Sequence, residues 1–500
     1  MPSTGCAGLP PSGARDTVAA VRALATALLV VAAGRAAAVP LLTPRAGGTA
    51  FEGPTDFEPA AIWYNPAALA GLRGVHASFN AIYQGTRGAY QPRSGDGALL
   101  SDDAFRYFGG LTWDFRLETF TFGMAVYAPW DTRLTVRDPA SAAALASPTD
   151  YHVVEQRMRH IYVSLAGAVT IDPRFLRVGV SISPILSATE ITFFRDGSLD
   201  GGSARAAEHG TPEAAQRFQL RGDGGVFWNV MPKPAGLAIS LGVLTNPIER
   251  LFIGVSWAHV IPLPATSASY DRPYEQPDSL GAQVTWRDPG GAMRSATGAT
   301  SVSYTLPDVW HIGARALLRA DLEVSNWVRI VTYGGYGGSD DPAMRALVVR
   351  LGGPLAQQVG APERLVFDRG LRPSVAVEAG LRYRPHARVR LGLSAIYESP
   401  AVPATHVTLA ALDGHKVDVA AGIEVRPVRW LRLSATYAFS WLHAAPSPGA
   451  FDAAARVRCV DSRHALDACA DDIAGRGHAS AAGSYDVAVH RVSGGLGVDF

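Results

Sequence analysis

Residues Trp430–Trp441 read WLRLSATYAFSW, with Leu431, Leu433, Ala435, Tyr437, Phe439 and Trp441 on one face and Arg432, Ser434, Thr436, Ala438 and Ser440 on the other. Successive side chains of a strand point to opposite faces, so this period of two predicts a strand that is apolar on one side only. The pattern recurs in KVDVAAGIEVR, where Val417, Val419, Ala421, Ile423 and Val425 oppose Lys416, Asp418, Gly422, Glu424 and Arg426. It returns in RVRLGLSAIY through Val389, Leu391, Leu393, Ala395 and Tyr397. Such alternation dominates from Gly74 to Phe500, so the fold class is all-β.

A soluble sandwich alternates in the same way, and the connections separate the two cases. Tight turns at DPR (Asp172), NPIE (Asn246), RAD (Arg319), PHA (Pro385) and PVR (Pro427) alternate with long polar segments. Those segments run from Pro129 to Glu155, Asp196 to Gly222, Pro262 to Thr300, Gly334 to Arg372, Ser399 to Gly414 and His443 to Ser484. Short turns on one rim and long loops on the other are the pattern of outer-membrane barrels. About fourteen strands are expected, an even count that places both chain ends on the short-turn side. They open near Val75, Phe105, Glu118, Arg157, Phe175, Leu237, Leu251, Val302, Leu322, Pro373, Arg388, Lys416, Trp430 and Tyr485. In hydrocarbon every backbone N–H and C=O needs an internal partner, so a spanning sheet has to close on itself. Outward Leu, Val, Ile, Tyr and Trp would then meet lipid, and inward Arg, Glu, Asp and Ser would make a polar lumen.

At the amino terminus Arg15 and Arg22 precede an apolar run from Ala23 to Ala33, and GRAAAVP supplies small residues at a cleavage-like site ending at Ala38. This predicts a bacterial secretory signal peptide over 1–38, a core helix being the rival reading. No other stretch approaches about 18 uninterrupted apolar residues, so helical membrane spans are not expected. Cleavage would remove Cys6 and leave Cys459 and Cys469. In an exported chain these form either a disulfide that closes a surface loop or a pair of free thiols. His464 adds only one more ligand between them, so no metal site is expected. A net charge of +1 with no sustained Lys/Arg patch gives no field to hold nucleic acid. The last strand, VHRVSGGLGVDF, puts Val492, Gly494, Leu496, Val498 and Phe500 on one face. Its terminal Phe500 resembles the signal by which outer-membrane proteins are recognised for insertion.

One stretch fits neither a strand nor a long helix: AIWYNPAALAGL, Ala61–Leu72, directly before the first strand. Its NPA resembles the hatch of the FadL family of outer-membrane transporters for hydrophobic compounds. In the family's order follow GDGGVFWN at Gly222, GVSWAHVI at Gly254, LPDVWHIGAR at Leu306, NW at Asn326 and GLSAIYESPAVPATHVTLAALDGHKVDVAAGIEVR from Gly392. The resemblance implies a 14-stranded antiparallel transmembrane β-barrel over 74–500, with residues 39–73 folded inside as a plug. It implies uptake of long-chain fatty acids or other hydrocarbons, which dock among the outer loops, pass the plug and leave sideways where the third strand kinks. Val39, Pro40, Leu41 and Leu42 would be the plug's apolar tip on the ligand path. Trp63 and Tyr64 either line that path or wedge the plug against the wall. Asn65, Pro66 and Ala67 form the hatch turn, an Asx-type signal. Matching the third strand puts the kink at YAPWDTR. There Pro129, beside Trp130, either breaks the ladder, having no N–H, or merely ends the strand. The implied partners are hydrophobic small molecules, outer-membrane lipid and lipopolysaccharide, and the barrel-insertion machinery. A monomer without cofactor is expected.

Two other functions compete. A barrel enzyme acting on lipids needs a nucleophile or activated water beside a base. His152, His160, His311, His406 and His415 are scattered, and no G-x-S-x-G, Walker A or HExxH motif is present. A general diffusion porin would need an open lumen without a plug.

Overall fold

The computed structural model describes residues 45–92, 98–137, 153–173, 175–196, 215–222, 236–262, 274–287, 292–304, 306–333, 346–361, 363–407, 411–445 and 483–500. Their strands are β1 (Val75–Pro92), β2 (Ala98–Trp113), β3 (Phe120–Arg137), β4 (Val153–Asp172), β5 (Leu176–Asp196), β6 (Ala215–Gly222), β7 (Gly236–Ile248) and β8 (Leu251–Pro262). There follow β9 (Tyr274–Arg287), β10 (Met293–Tyr304), β11 (Asp308–Arg319), β12 (Leu322–Thr332), β13 (Ala346–Leu351) and β14 (Arg364–Asp368). The carboxyl-terminal part adds β15 (Ser374–His386), β16 (Val389–Glu398), β17 (His415–Val428), β18 (Leu431–Ala444) and β19 (Gly483–Asp499).

Fourteen of these strands make a closed antiparallel barrel. From β1 to β5 each pairs with the next; β5 then pairs with β7, β7 with β8, β8 with β11, β11 with β12 and β12 with β15. The run β15 to β19 continues in order, and β19 pairs with β1 from His76↔Asp499 to Pro92↔Gly483. The chain's last residue completes the seam: Val75 N donates to Phe500 O at 2.9 Å, and Phe500 N donates to Val75 O at 2.8 Å. The Phe500 ring lies parallel to Trp430 on the outer surface, 77% exposed.

The other five strands correct the expected loops. β6 pairs with the far end of β5, from Thr189↔Gly222 to Asp196↔Ala215, and the sheet extends through β9, β10, β13 and β14. A short helix, α1 (Gly353–Val359), lies against it, and Gln216 Nε2 donates to Val359 O at 2.8 Å. Segments read as loops within Asp196–Gly222, Pro262–Thr300 and Gly334–Arg372 therefore contain strands. β10, MRSATGATSVSY, carries no apolar stripe, so its period-two signal is lost; β9 and β13 do alternate, through Leu280, Ala282, Val284 and Trp286 and through Leu347, Val349 and Leu351, but only in short stretches inside polar segments. For the same reason the eighth barrel strand is β11, opening at Asp308, whereas Val302 belongs to β10. β2 opens at Ala98 instead of near Phe105, and β4 at Val153 instead of Arg157.

Alternation decides which face is which. On β18, Leu433, Tyr437, Phe439 and Trp441 stand exposed on the outer surface, while Thr436, Ala438 and Ser440 are buried inside. On β17, Val417, Val419 and Ile423 face out, and Lys416 and Asp418 are buried. An exposed apolar belt of this extent suits hydrocarbon, and the polar interior is filled by the segment that precedes β1.

Candidate functional site: the hatch and the wall beside it

Residues 45–72 sit inside the barrel, and their backbone is shaped at Asn65. One helical turn covers Ala61–Tyr64, and a 3₁₀ helix covers Pro66–Gly71. Asn65 between them is extended, and its Oδ1 accepts from Ala67 N at 3.1 Å, capping a helix whose first residue is a proline with φ already set. Its Nδ2 donates to Pro54 O at 2.9 Å and to Val243 O of β7 at 3.0 Å. One fully buried carboxamide thus ties the turn to itself, to the preceding loop and to the wall.

Glycine makes room for it. A Cβ at Gly242 would stand 2.0 Å from Asn65 Oδ1, one at Gly179 2.4 Å from Ala67 N, and one at Gly254 2.4 Å from Pro54 O. Gly179 and Gly242 are directly opposite each other on β5 and β7, and Gly254 follows on β8. The three form a trough that admits backbone where any side chain would exclude it.

Buried charge fixes the remainder of the hatch. Arg382 of β15 grips Asp56 through two nitrogens, one of them 2.6 Å from Oδ2, and donates to Phe51 O at 2.9 Å. Arg45 donates to Asp418 Oδ1 at 3.0 Å and to Ser394 Oγ at 2.9 Å. Glu52 accepts from Gly47 N, Thr49 N and the Tyr64 hydroxyl. Burial pushes the Asp56 carboxyl up, but Arg382 and Arg315 beside it outweigh that and hold it below the ordinary range. Glu58 has no such partner. Burial, with Glu52 and Asp56 nearby, pushes it up to about 8, and its Oε1 is cut off from solvent without a hydrogen bond. It borders a cavity of about 30 Å³, lined also by Glu424, Arg432 and Ser434.

Trp63 meets the barrel wall where the wall is irregular. β3 and β4 pair as Tyr127↔Tyr162 and then Trp130↔His160, so Ala128 and Pro129 form a bulge with one extra residue on β3. On the other side of β3, pairing with β2 stops at Phe108↔Tyr127 and resumes only at Ser101↔Thr135. Pro129 therefore does not end the strand, which runs on to Arg137; it sits at a bulge beside an interrupted ladder. The Trp63 ring stands edge-on to Tyr127, Trp130, Tyr162 and His311, with centroids 5.8–5.9 Å apart. Tyr64 packs against His311 and Trp327, and its carbonyl accepts from Ser256 Oγ. Both residues are buried, Trp63 at the interrupted wall and Tyr64 within the hydrogen-bonded hatch.

Sequence reasoning singled out Trp63, Tyr64 and the Asn65–Ala67 turn in the hatch and, separately, Pro129 and Trp130 on the third strand; the structure sets Trp63 against Trp130. Sequence reasoning missed His311, read as a scattered histidine although His311 in VWHIGAR falls on the lumen face, and it missed the Asp56–Arg382 pair. Val39, Pro40, Leu41, Leu42, Cys459 and Cys469 lie outside the described residues. Among the described residues no three His, Cys, Asp or Glu side chains gather as a metal site.

No sequence family and no curated protein matches the chain. Solved structures match its fold. A FadL homologue from Pseudomonas aeruginosa is 11% identical with a TM-score of 0.64, over 93% of this chain and all of its own. The toluene transporter TodX of P. putida is 11% identical with a TM-score of 0.60, over 88% of this chain and 94% of its own. The toluene transporter TbuX of Ralstonia pickettii is 14% identical with a TM-score of 0.56, over 91% and 96%. The chain therefore has the FadL-type barrel fold, at identities that speak to fold alone.

Proposed function

We propose that this protein is a bacterial outer-membrane channel that carries hydrophobic small molecules past the hatch and releases them sideways through the wall, without catalysing a reaction on them. The observation that carries the proposal is the interrupted β2–β3 ladder beside the Pro129 bulge, directly against Trp63. A buried hatch and a polar lumen make a straight path to the periplasm unfavourable for an apolar solute. A lateral opening delivers it into hydrocarbon instead, a gain of about 25 cal/mol per Å² of apolar surface removed from water. The solute is first captured among the outer loops. Toluene is the cargo named for TodX and TbuX, and a small apolar molecule suits the aromatic lining here.

The test closes the wall. Tyr107 and Ala128 would be the next pair after Phe108↔Tyr127, and cysteines placed there bridge the open ladder when oxidised. Uptake of radiolabelled toluene and of oleate by cells should fall at least about tenfold on oxidation and return on reduction. Full uptake of both through the bridged barrel would refute lateral release. Rapid sugar swelling of liposomes, unchanged when 44–71 is deleted, would favour a diffusion porin.

A further inference from the structure

The pairing of β2 with β3 is missing between Ser101 and Phe108, and Trp63 covers the inner side of that stretch. The outer side is crossed by an arginine of β4: Arg159 Nη2 donates to Phe105 O of β2 at 3.3 Å, although β3 lies between the two strands. Register sets the two residues at one height. Phe108, Tyr127 and Tyr162 form a row across β2, β3 and β4, and Phe105 and Arg159 each stand three residues from it along their strands. Between that row and Arg159, β3 makes its bulge at Ala128 and Pro129.

Arg159 faces the lipid side of the wall. Met158 and His160 on either side of it are buried toward the lumen, so alternation turns Arg159 outward. Its surroundings there are apolar: Ile161 on its own strand, Ala188 in register on β5, and Phe105 and Tyr107, both exposed, on β2. The other outward side chains of this part of β2 are engaged by β1. The Phe105 ring lies 5.2 Å from that of Tyr83, and Asp103 accepts from the Tyr83 hydroxyl at 2.8 Å and from Arg87 at 3.1 Å.

A cation on the lipid face of a barrel is costly, and so is a backbone carbonyl in hydrocarbon without a donor. Here each offsets the other. Phe105 belongs to the stretch of β2 that has no β3 partner, and Arg159 supplies the hydrogen bond that the ladder omits. Arg87 and Asp103 begin the polar rim two residues beyond Phe105, so a guanidinium released from Phe105 O reaches the headgroup region by extending along its own stem.

We infer that Arg159 is the outer latch of the lateral opening. Closed, it ties β2 to β4 across the missing pairs; for a hydrophobic molecule to leave between β2 and β3, the guanidinium lets go of Phe105 O and turns toward the lipid headgroups. This inference rests on the proposed lateral release and names the side chain that sets its rate.

The test reads the gap without cargo and then with it. The full barrel, with Cys459→Ser and Cys469→Ser, carries Tyr107→Cys and Ala128→Cys at the edges of the gap and is oxidised mildly in liposomes. Adding Arg159→Met should slow formation of that disulfide roughly tenfold, the worth of one charge-assisted hydrogen bond, and Arg159→Lys should slow it less. A reference pair, Val419→Cys with Phe439→Cys on the continuous ladder of β17 and β18, should close at an unchanged rate. Without the introduced cysteines, Arg159→Met should admit radiolabelled toluene several-fold faster than the wild type. Heat-modifiable migration on gels verifies that each variant is a folded barrel, and Arg159→Lys decides if Arg159→Met does not fold. An unchanged rate at the gap, or equal slowing of the reference pair, overturns the inference, and so does toluene entry that is no faster. Toluene uptake that persists when the Tyr107–Ala128 bridge is closed sinks lateral release itself. Uptake that stops with the bridge but ignores Arg159 sinks the latch alone.

Discussion

Replacing Asn65 with alanine removes three hydrogen bonds at once: the cap on Ala67 N and the two donated to Pro54 O and Val243 O. All three partners are then left buried without a replacement, because the trough of Gly179, Gly242 and Gly254 is already filled by backbone. A buried group stranded in this way costs roughly 1–3 kcal/mol, and three that share one residue cost together roughly 3–6 kcal/mol. At about 1.4 kcal/mol per decade, the seated hatch becomes about 10² to 10⁴ times less favoured. The assay is hydrogen exchange of amides in 61–72 against those in β17 and β18. Hatch protection should drop by that factor while barrel protection stays. A loss of less than about tenfold would show that the carboxamide does not hold the hatch, and the reasoning would fail. Asn65→Asp keeps the cap but strands Pro54 O and Val243 O and buries a charge, so it should behave no better than alanine.

Gly242→Ala should expel the turn and raise small-sugar conductance, whereas Gly109→Ala, whose added Cβ meets nothing within 4 Å, should leave it at the wild-type level. Asp56→Asn should loosen the hatch by about 3–5 kcal/mol by leaving the Arg382 charge buried, and adding Arg382→Met should recover part of that loss in the exchange assay. Hatch protection should also depend on pH through Glu58. Its carboxyl titrates near 4.5 when free and near 8 when seated, so its contribution is complete below about 4.5 and declines as pH rises to about 8. Glu58→Gln should flatten that profile, and an unchanged slope would remove Glu58 from the account.

The barrel was legible because each strand separates two unlike surroundings, and WLRLSATYAFSW records both of them in alternate residues. The extension was not legible. β10 mixes polar and small residues on both faces, and nothing in MRSATGATSVSY distinguishes a strand from a polar loop; β9 alternates only through Leu280, Ala282, Val284 and Trp286, a short signal inside a long polar stretch. Asn65 to Ala67 could be recognised from local turn chemistry, and Pro129 from its missing N–H. Asp56–Arg382 could not, because it joins residues far apart in the chain that the closed barrel alone brings together. His311 carried a weak signal, its lumen-facing place on an alternating strand, which becomes informative only when Trp63 is known to stand opposite.

The glycine trough has a consequence for the order of events in biogenesis. Its walls come from β5, β7 and β8, and the arginine that grips Asp56 comes from β15. None of these surfaces exists until strands made long after residue 72 have found their neighbours. The segment that leaves the ribosome first among the described residues must therefore wait, unfolded and accessible to chaperones and proteases, until the barrel has closed around it. Mutations in the trough would then show as slow maturation and periplasmic degradation before they show as faulty transport.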